Sequence, residues 1–141
     1  MDAGFQVSEY WMPGLGGKEM SDGHADNTAR VLNAVNPHYI RSRPFRPIPG
    51  TPIDDDVRAG SVTLLSPREQ LLELKRMVTA LEVTSKVCFD HMGNHWRTPS
   101  GDLVFTHDYE GYQFPEEKQE VLDRIELGLA FDQKPVSFLR L

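Results

Sequence analysis

Arg41, Arg43 and Arg46 crowd together just ahead of and inside a proline-rich stretch. A guanidinium is planar, permanently charged and able to grip a carboxylate with two parallel hydrogen bonds. Alternate residues of a strand share a face, so Arg41 and Arg43 should point the same way. They could hold an anionic group of a cofactor or substrate. They could equally pair with a carboxylate of the chain, Glu9 on a neighbouring strand among them. An arginine left unpaired in a closed interior would be costly. The run Gly14-Leu15-Gly16-Gly17 is a second candidate, because backbone without Cβ atoms can turn sharply or let a ligand approach closely. It could cradle a phosphate or the polar end of a cofactor. It lacks the spacing of a dinucleotide fingerprint and the closing lysine and hydroxyl of a P-loop, and a tight connection is the other reading.

His91 and His95 lie four apart, with Asp90 beside them and His107-Asp108 downstream. On a helix that spacing would bring two imidazoles together as metal ligands. Gly93 and Asn94 between them disfavour a helix, and the HExxH glutamate is missing, so loop histidines are expected. Asp54-Asp55-Asp56 follows a proline and reads as a charged helix start; the spacing of a calcium loop is absent. Pro49-Gly50-Thr51-Pro52 reads as a rigid turn. Cys88 lies in an apolar-patterned segment and should pack as a small hydrophobe. No serine or cysteine has an interpretable base, so no nucleophilic catalysis is assigned.

The elements that must position these residues follow from pattern and punctuation. Phe5 to Met12 reads as a strand ended by Pro13-Gly14. Ser21 is a candidate N-cap for a helix to about Val35, with Ala25, Thr28, Ala29, Leu32 and Val35 as its buried stripe. Asn36-Pro37 stops it. Tyr39 to Arg43 is a second strand, followed by the proline-rich loop 44–52 and a short helical turn over 53–59 closed by Gly60. Ser66, Pro67 and Glu69 give a capping box with proline at the first helical position, and Leu71, Leu74, Val78 and Leu81 form that helix's apolar face. Val83 to Phe89 alternates like a third strand. Residues 91–112 are irregular, with a short strand at Leu103 to Thr106, and a last helix runs from near Pro115 to about Ala130. The order strand, helix, strand, helix, strand is that of an α/β fold with parallel strands. Such a short parallel sheet leaves edges and faces to cover, so the pattern describes part of something larger. The apolar pattern opens at Phe5, as it would in an excised fragment.

The 141 residues suit one compact domain or part of one, and 39% hydrophobic residues suffice for a core. Fifteen Lys and Arg against twenty-one Asp and Glu give a net charge of −6, which argues against a general nucleic-acid surface or anionic-membrane surface. No apolar run is long enough to span a bilayer, and the first residues lack the features of a signal peptide. A single cysteine excludes an internal disulfide and a cysteine-built metal cage. A cytoplasmic setting is expected.

Residues 36–45, Asn-Pro-His-Tyr-Ile-Arg-Ser-Arg-Pro-Phe, followed by Pro49-Gly50-Thr51-Pro52-Ile53, resemble the last barrel strand and following loop of radical S-adenosylmethionine enzymes. The similarity is strongest to coproporphyrinogen-oxidase-like members and related Fe–S oxidoreductases. Residues 10–17, Tyr-Trp-Met-Pro-Gly-Leu-Gly-Gly, resemble the preceding strand and its glycine turn, and the helix containing Thr28 to Asn33 has the expected length. The resemblance covers roughly residues 3–82, and only the ordered set of pieces is specific. It implies a partial TIM-like (β/α) barrel over residues 1–82, with residues 83–141 as a C-terminal α+β extension.

The family's [4Fe–4S] cluster is held by a CxxxCxxC loop that this sequence lacks, so the resemblance implies a fragment inactive alone. The partner would be the missing N-terminal part of the barrel, the substrate stays unspecified, and exposed apolar edges should drive self-association. The cofactor pocket would draw on Met12, Gly14 and Gly16 after the first strand and on Arg41, Arg43, Pro44 and Phe45 after the second. S-adenosylmethionine and the cluster would belong to the full-length protein. Tyr10 and Met12 depart from the family's glycine–isoleucine pattern, although a thioether can still pack on a ring. The competing reading is a stand-alone, non-catalytic α/β module that binds a ligand or protein through the arginine cluster. A metal-dependent hydrolase using the histidines is a third.

Overall fold

In a computed structural model, which describes residues 3–134, Ser8–Trp11 forms strand β1 and leads through the glycine turn into helix α1 (Gly17–Val35). The helix begins four residues before Ser21. Its first turn is fixed from outside: Lys18 N donates to Thr63 O at 2.8 Å, and Glu19 accepts from Thr63 N at 3.0 Å. Ser21 is drawn away from capping, because its hydroxyl donates to Glu73 at 2.6 Å. The far end stops as expected. Asn36 adopts the left-handed conformation at φ 44°, its N–H returns to Leu32 O, and its side chain grips Thr84.

Strand β2 (Tyr39–Ser42) is followed by the proline-rich loop and by the short helix α2 (Pro52–Ala59), which Gly60 closes. Helix α3 (Pro67–Ala80) has the capping box in full: Ser66 accepts from Glu69 N while Glu69 accepts from Ser66 N at 2.7 Å. Strand β3 (Lys86–Cys88) is shorter than the alternating segment around it. The 103–106 segment contributes only one isolated bridge, Leu103 to Arg97. A two-residue strand β4 (Tyr112–Gln113), too short to leave a pattern, precedes helix α4 (Lys118–Leu129).

The sheet order is β1-β2-β3-β4; the first three strands are parallel and β4 is antiparallel to β3. This is a mixed α/β fold with a four-stranded, mostly parallel sheet and four helices among the described residues. The sheet and core run continuously past residue 82, since β3 pairs with β2 and α4 packs on α3. Register places Glu9, Ile40 and Val87 on one face, with Trp11 and Ser42 a step further along. On that face Trp11, Ile40 and Val87 join Ala25, Ala29 and Leu32 of α1 and Leu71, Leu74 and Val78 of α3 in one core. Burying each large aliphatic side chain contributes about 1.5–3 kcal/mol. All four residues of the expected α3 stripe are buried. In α1, Val35 is exposed instead of buried, because it stands beside β1, the outermost strand among the described residues.

Candidate functional site

The opposite face of the sheet, its open face, carries no helix among the described residues. Alternation gives it Ser8, Tyr10, Tyr39, Arg41, Lys86 and Cys88, and the ladder continues to Arg43, whose N–H donates to Trp11 O. Arg41 and Arg43 share this face, as their spacing requires, but their states differ. Arg41 is buried. Its Nη1 donates to Asp90 Oδ1 at 2.9 Å and to Tyr109 O at 3.2 Å, and its guanidinium lies between the Tyr39 and Tyr109 rings, 4.9 and 4.1 Å from their centroids. Burial opposes its charge, but the Asp90 hydrogen bond and neighbouring acidic groups outweigh burial and raise its pKa. Its carboxylate partner is Asp90, just past β3.

Arg43 is exposed, stacks 4.3 Å over the Tyr10 ring, and has no carboxylate partner among the described residues. It is the available cation of this face. Tyr109 reaches the sheet because Gly111, at φ 59°, lets its loop press onto β3; a Cβ there would lie 2.3 Å from Val87 O.

Cys88, the register neighbour of Arg41 on β3, is fully buried, and desolvation pushes its thiol up to about 11. It is a packed, protonated thiol at neutral pH. The histidines sit in the loop beyond β3. His91 Nδ1 accepts from Gly93 N at 3.0 Å, His95 Nδ1 bonds Met92 O at 2.7 Å, and His107 Nε2 bonds Asn94 O at 2.7 Å. Burial lowers the pKa of His91, helped by the Arg43 charge, and burial likewise lowers that of His95. No group of His, Cys, Asp and Glu among the described residues is arranged to hold a metal.

The remaining candidates fall in two other places. Gly14, Pro44 and Phe45 line a cavity of about 400 Å3 at the carboxyl ends of β1 and β2, on the helix side of the sheet. Met12 stands at the sheet edge, where it lines a groove between β1 and α1. Gly16 packs within the β1–α1 turn, so close to His24 and Met20 that a Cβ would lie 3.1 Å from each. The glycine turn itself is held by a residue that sequence pattern did not single out. Glu73, on α3 with a fully buried side chain, accepts from Gly14 N at 2.8 Å and from the Ser21 hydroxyl, and His24 lies 3.8 Å away. Its one legible signal was a charge beside an otherwise apolar stripe.

No family model matches the chain, and neither curated proteins nor solved structures give a significant match. The functional reading rests on the geometry.

Proposed function

We propose that this chain is the closing part of a radical S-adenosylmethionine enzyme, an Fe–S oxidoreductase, in which β1 and β2 are the last two strands of a TIM-like (β/α) barrel. One observation carries the reading: two consecutive strand–helix units lie side by side and parallel, with their helices on one face and no described helix on the other. In a barrel that open face is the lumen, and ligands bind at the carboxyl ends of its strands. The free edge of β1 also supports it. Beside that edge runs a groove whose walls include Leu15, Val31 and Val35, and the buried indole N–H of Trp11 finds no acceptor among the described residues. A preceding strand and helix of the same polypeptide would cover these groups.

The residues fit S-adenosylmethionine better than they fit the cluster. Arg43, uncommitted at the carboxyl end of β2, suits a carboxylate, and Tyr10 and Met12 offer apolar surface to a ring. Gly14, Pro44 and Phe45 bound the top of the same strands. The cluster needs three thiolates, and Cys88 is one buried thiol. The proposed enzyme is cytoplasmic, and this chain alone does not cleave S-adenosylmethionine. It self-associates through the β1 edge.

The test uses the polypeptide encoded when the reading frame upstream of Met1 is included, reconstituted with iron and sulfide. The expected results are a CxxxCxxC motif in the added segment and S-adenosylmethionine cleavage. In Arg43→Met, cleavage should fall about tenfold or more, the effect of losing one charge-assisted hydrogen bond. A frame without that motif, or cleavage indifferent to Arg43, would leave the non-catalytic binding module as the better reading.

A further inference from the structure

The cavity at the carboxyl ends of β1 and β2 has a charge that the rest of the chain does not. Acidic residues outnumber basic ones by twenty-one to fifteen, yet Lys18, Arg46 and Lys134 line this cavity with His95, and none of the described aspartates or glutamates does. Arg46 has no carboxylate partner among the described residues. Lys18 does pair with Glu69 at 3.1 Å, but both side chains are well exposed, and an exposed pair of this kind is weak because water and salt screen it. Lys18 can therefore turn to a ligand at little cost.

Two aromatic rings stand among these cations. Phe45 is buried, and Trp96 is fixed in place by its indole N–H, which donates to Pro67 O at 2.9 Å. On another wall the positive-φ Gly14 brings backbone close to the Gln70 amide; a Cβ there would lie 3.1 Å from Gln70 Nε2. Ser66 already accepts from the first turn of α3, so recognition rests on side chains and not on that helix end. At about 400 Å3 the cavity lies near the small end of the range for ligand pockets, roughly 300–1,000 Å3.

We propose that this cavity binds a small oxyanion, a carboxylate or phosphate, carried on a flat apolar body of about one ring. Lys18 and Arg46 neutralise the anion, with Lys134 at the rim, and Phe45 and Trp96 flank the ring. The site lies on the helix side of the sheet. It shares Gly14, Pro44 and Phe45 with the pocket proposed above, but its cations are Lys18 and Arg46, not Arg41 and Arg43, and it does not depend on the barrel reading.

The experiment is a two-dimensional NMR titration of the full 141-residue chain with phenyl phosphate, following the Trp96 indole and Gln70 amide signals. Phenol and inorganic phosphate are the comparison probes, and benzoate tests carboxylate against phosphate. Saturable shifts at Trp96 and Gln70 are expected, with phenol at least about tenfold weaker. Arg46→Gln and Lys18→Gln, both at exposed positions, should each weaken binding by about three- to tenfold, and Arg43→Met should leave it unchanged. Equal affinity for phenol, or no saturation by about 10 mM, would overturn the proposal. So would affinity that survives Arg46→Gln and Lys18→Gln but falls with Arg43→Met.

Discussion

The two faces of the sheet are built from alternate residues of the same strands, yet they do opposite work. On the helix side Trp11, Ile40 and Val87 meet α1 and α3 in a continuous apolar layer. On the other side the neighbours of those residues are Tyr10, Arg41 and Cys88, with Tyr109 and Asp90 brought over the top. The covered face stores the stability. The open face presents charge on a scaffold whose energy is already secured elsewhere. Within the open face the division repeats, since Arg41 is bound by Asp90 and Tyr109 while Arg43 keeps its charge available.

The covered face is most sensitive at Phe89. It is fully buried and stacked 3.8 Å from Phe105, and Tyr112 meets it edge-on. Phe89→Ala should cost about 3–5 kcal/mol by urea unfolding. A loss under about 1 kcal/mol would mean that the covered side does not carry the stability. A smaller effect is expected where the core reaches toward the site. Glu73→Ala leaves the buried Gly14 N–H without its acceptor and should cost about 1–3 kcal/mol. Glu73→Gln keeps a carbonyl for that N–H and should recover part of the loss. If both variants were as stable as the parent, Glu73 would not be what fixes the glycine turn.

Why some of this could be read in the sequence and some could not is a matter of range. The α3 capping box spans four consecutive residues and depends on nothing beyond them, so Ser66 and Glu69 were legible. Ser21 had the same local signature, but a tertiary partner, Glu73, took its hydroxyl, and α1 began earlier. The shared face of Arg41 and Arg43 follows from strand alternation. The choice of Asp90 over Glu9 does not, because only the parallel pairing of β2 with β3 sets Asp90 beside Arg41. The aromatic sandwich was hidden for a similar reason: Tyr109 arrives on an irregular loop whose approach depends on Gly111.

The smallest expected effect concerns the loop that joins the two faces. His91 and His95 both have pKa values lowered below the ordinary 6.5, first by burial and then by positive neighbours, including Arg43 for the one and Arg46 for the other. The folded chain therefore resists protonation at pH values where the unfolded chain accepts it. Stability from this source is complete above the unfolded value near 6.5 and is lost as pH falls through it toward the folded values. The carboxylates with lowered pKa values, Glu19, Asp26 and Glu69, act below about pH 4.5 and leave this window clear. Urea midpoints should therefore fall between pH 7.5 and 5.5, and the His91→Gln, His95→Gln double variant should show a flatter dependence. A midpoint that rises on acidification, or the same slope in the double variant, would place the histidines in solvent and detach the loop from the buried side of the sheet.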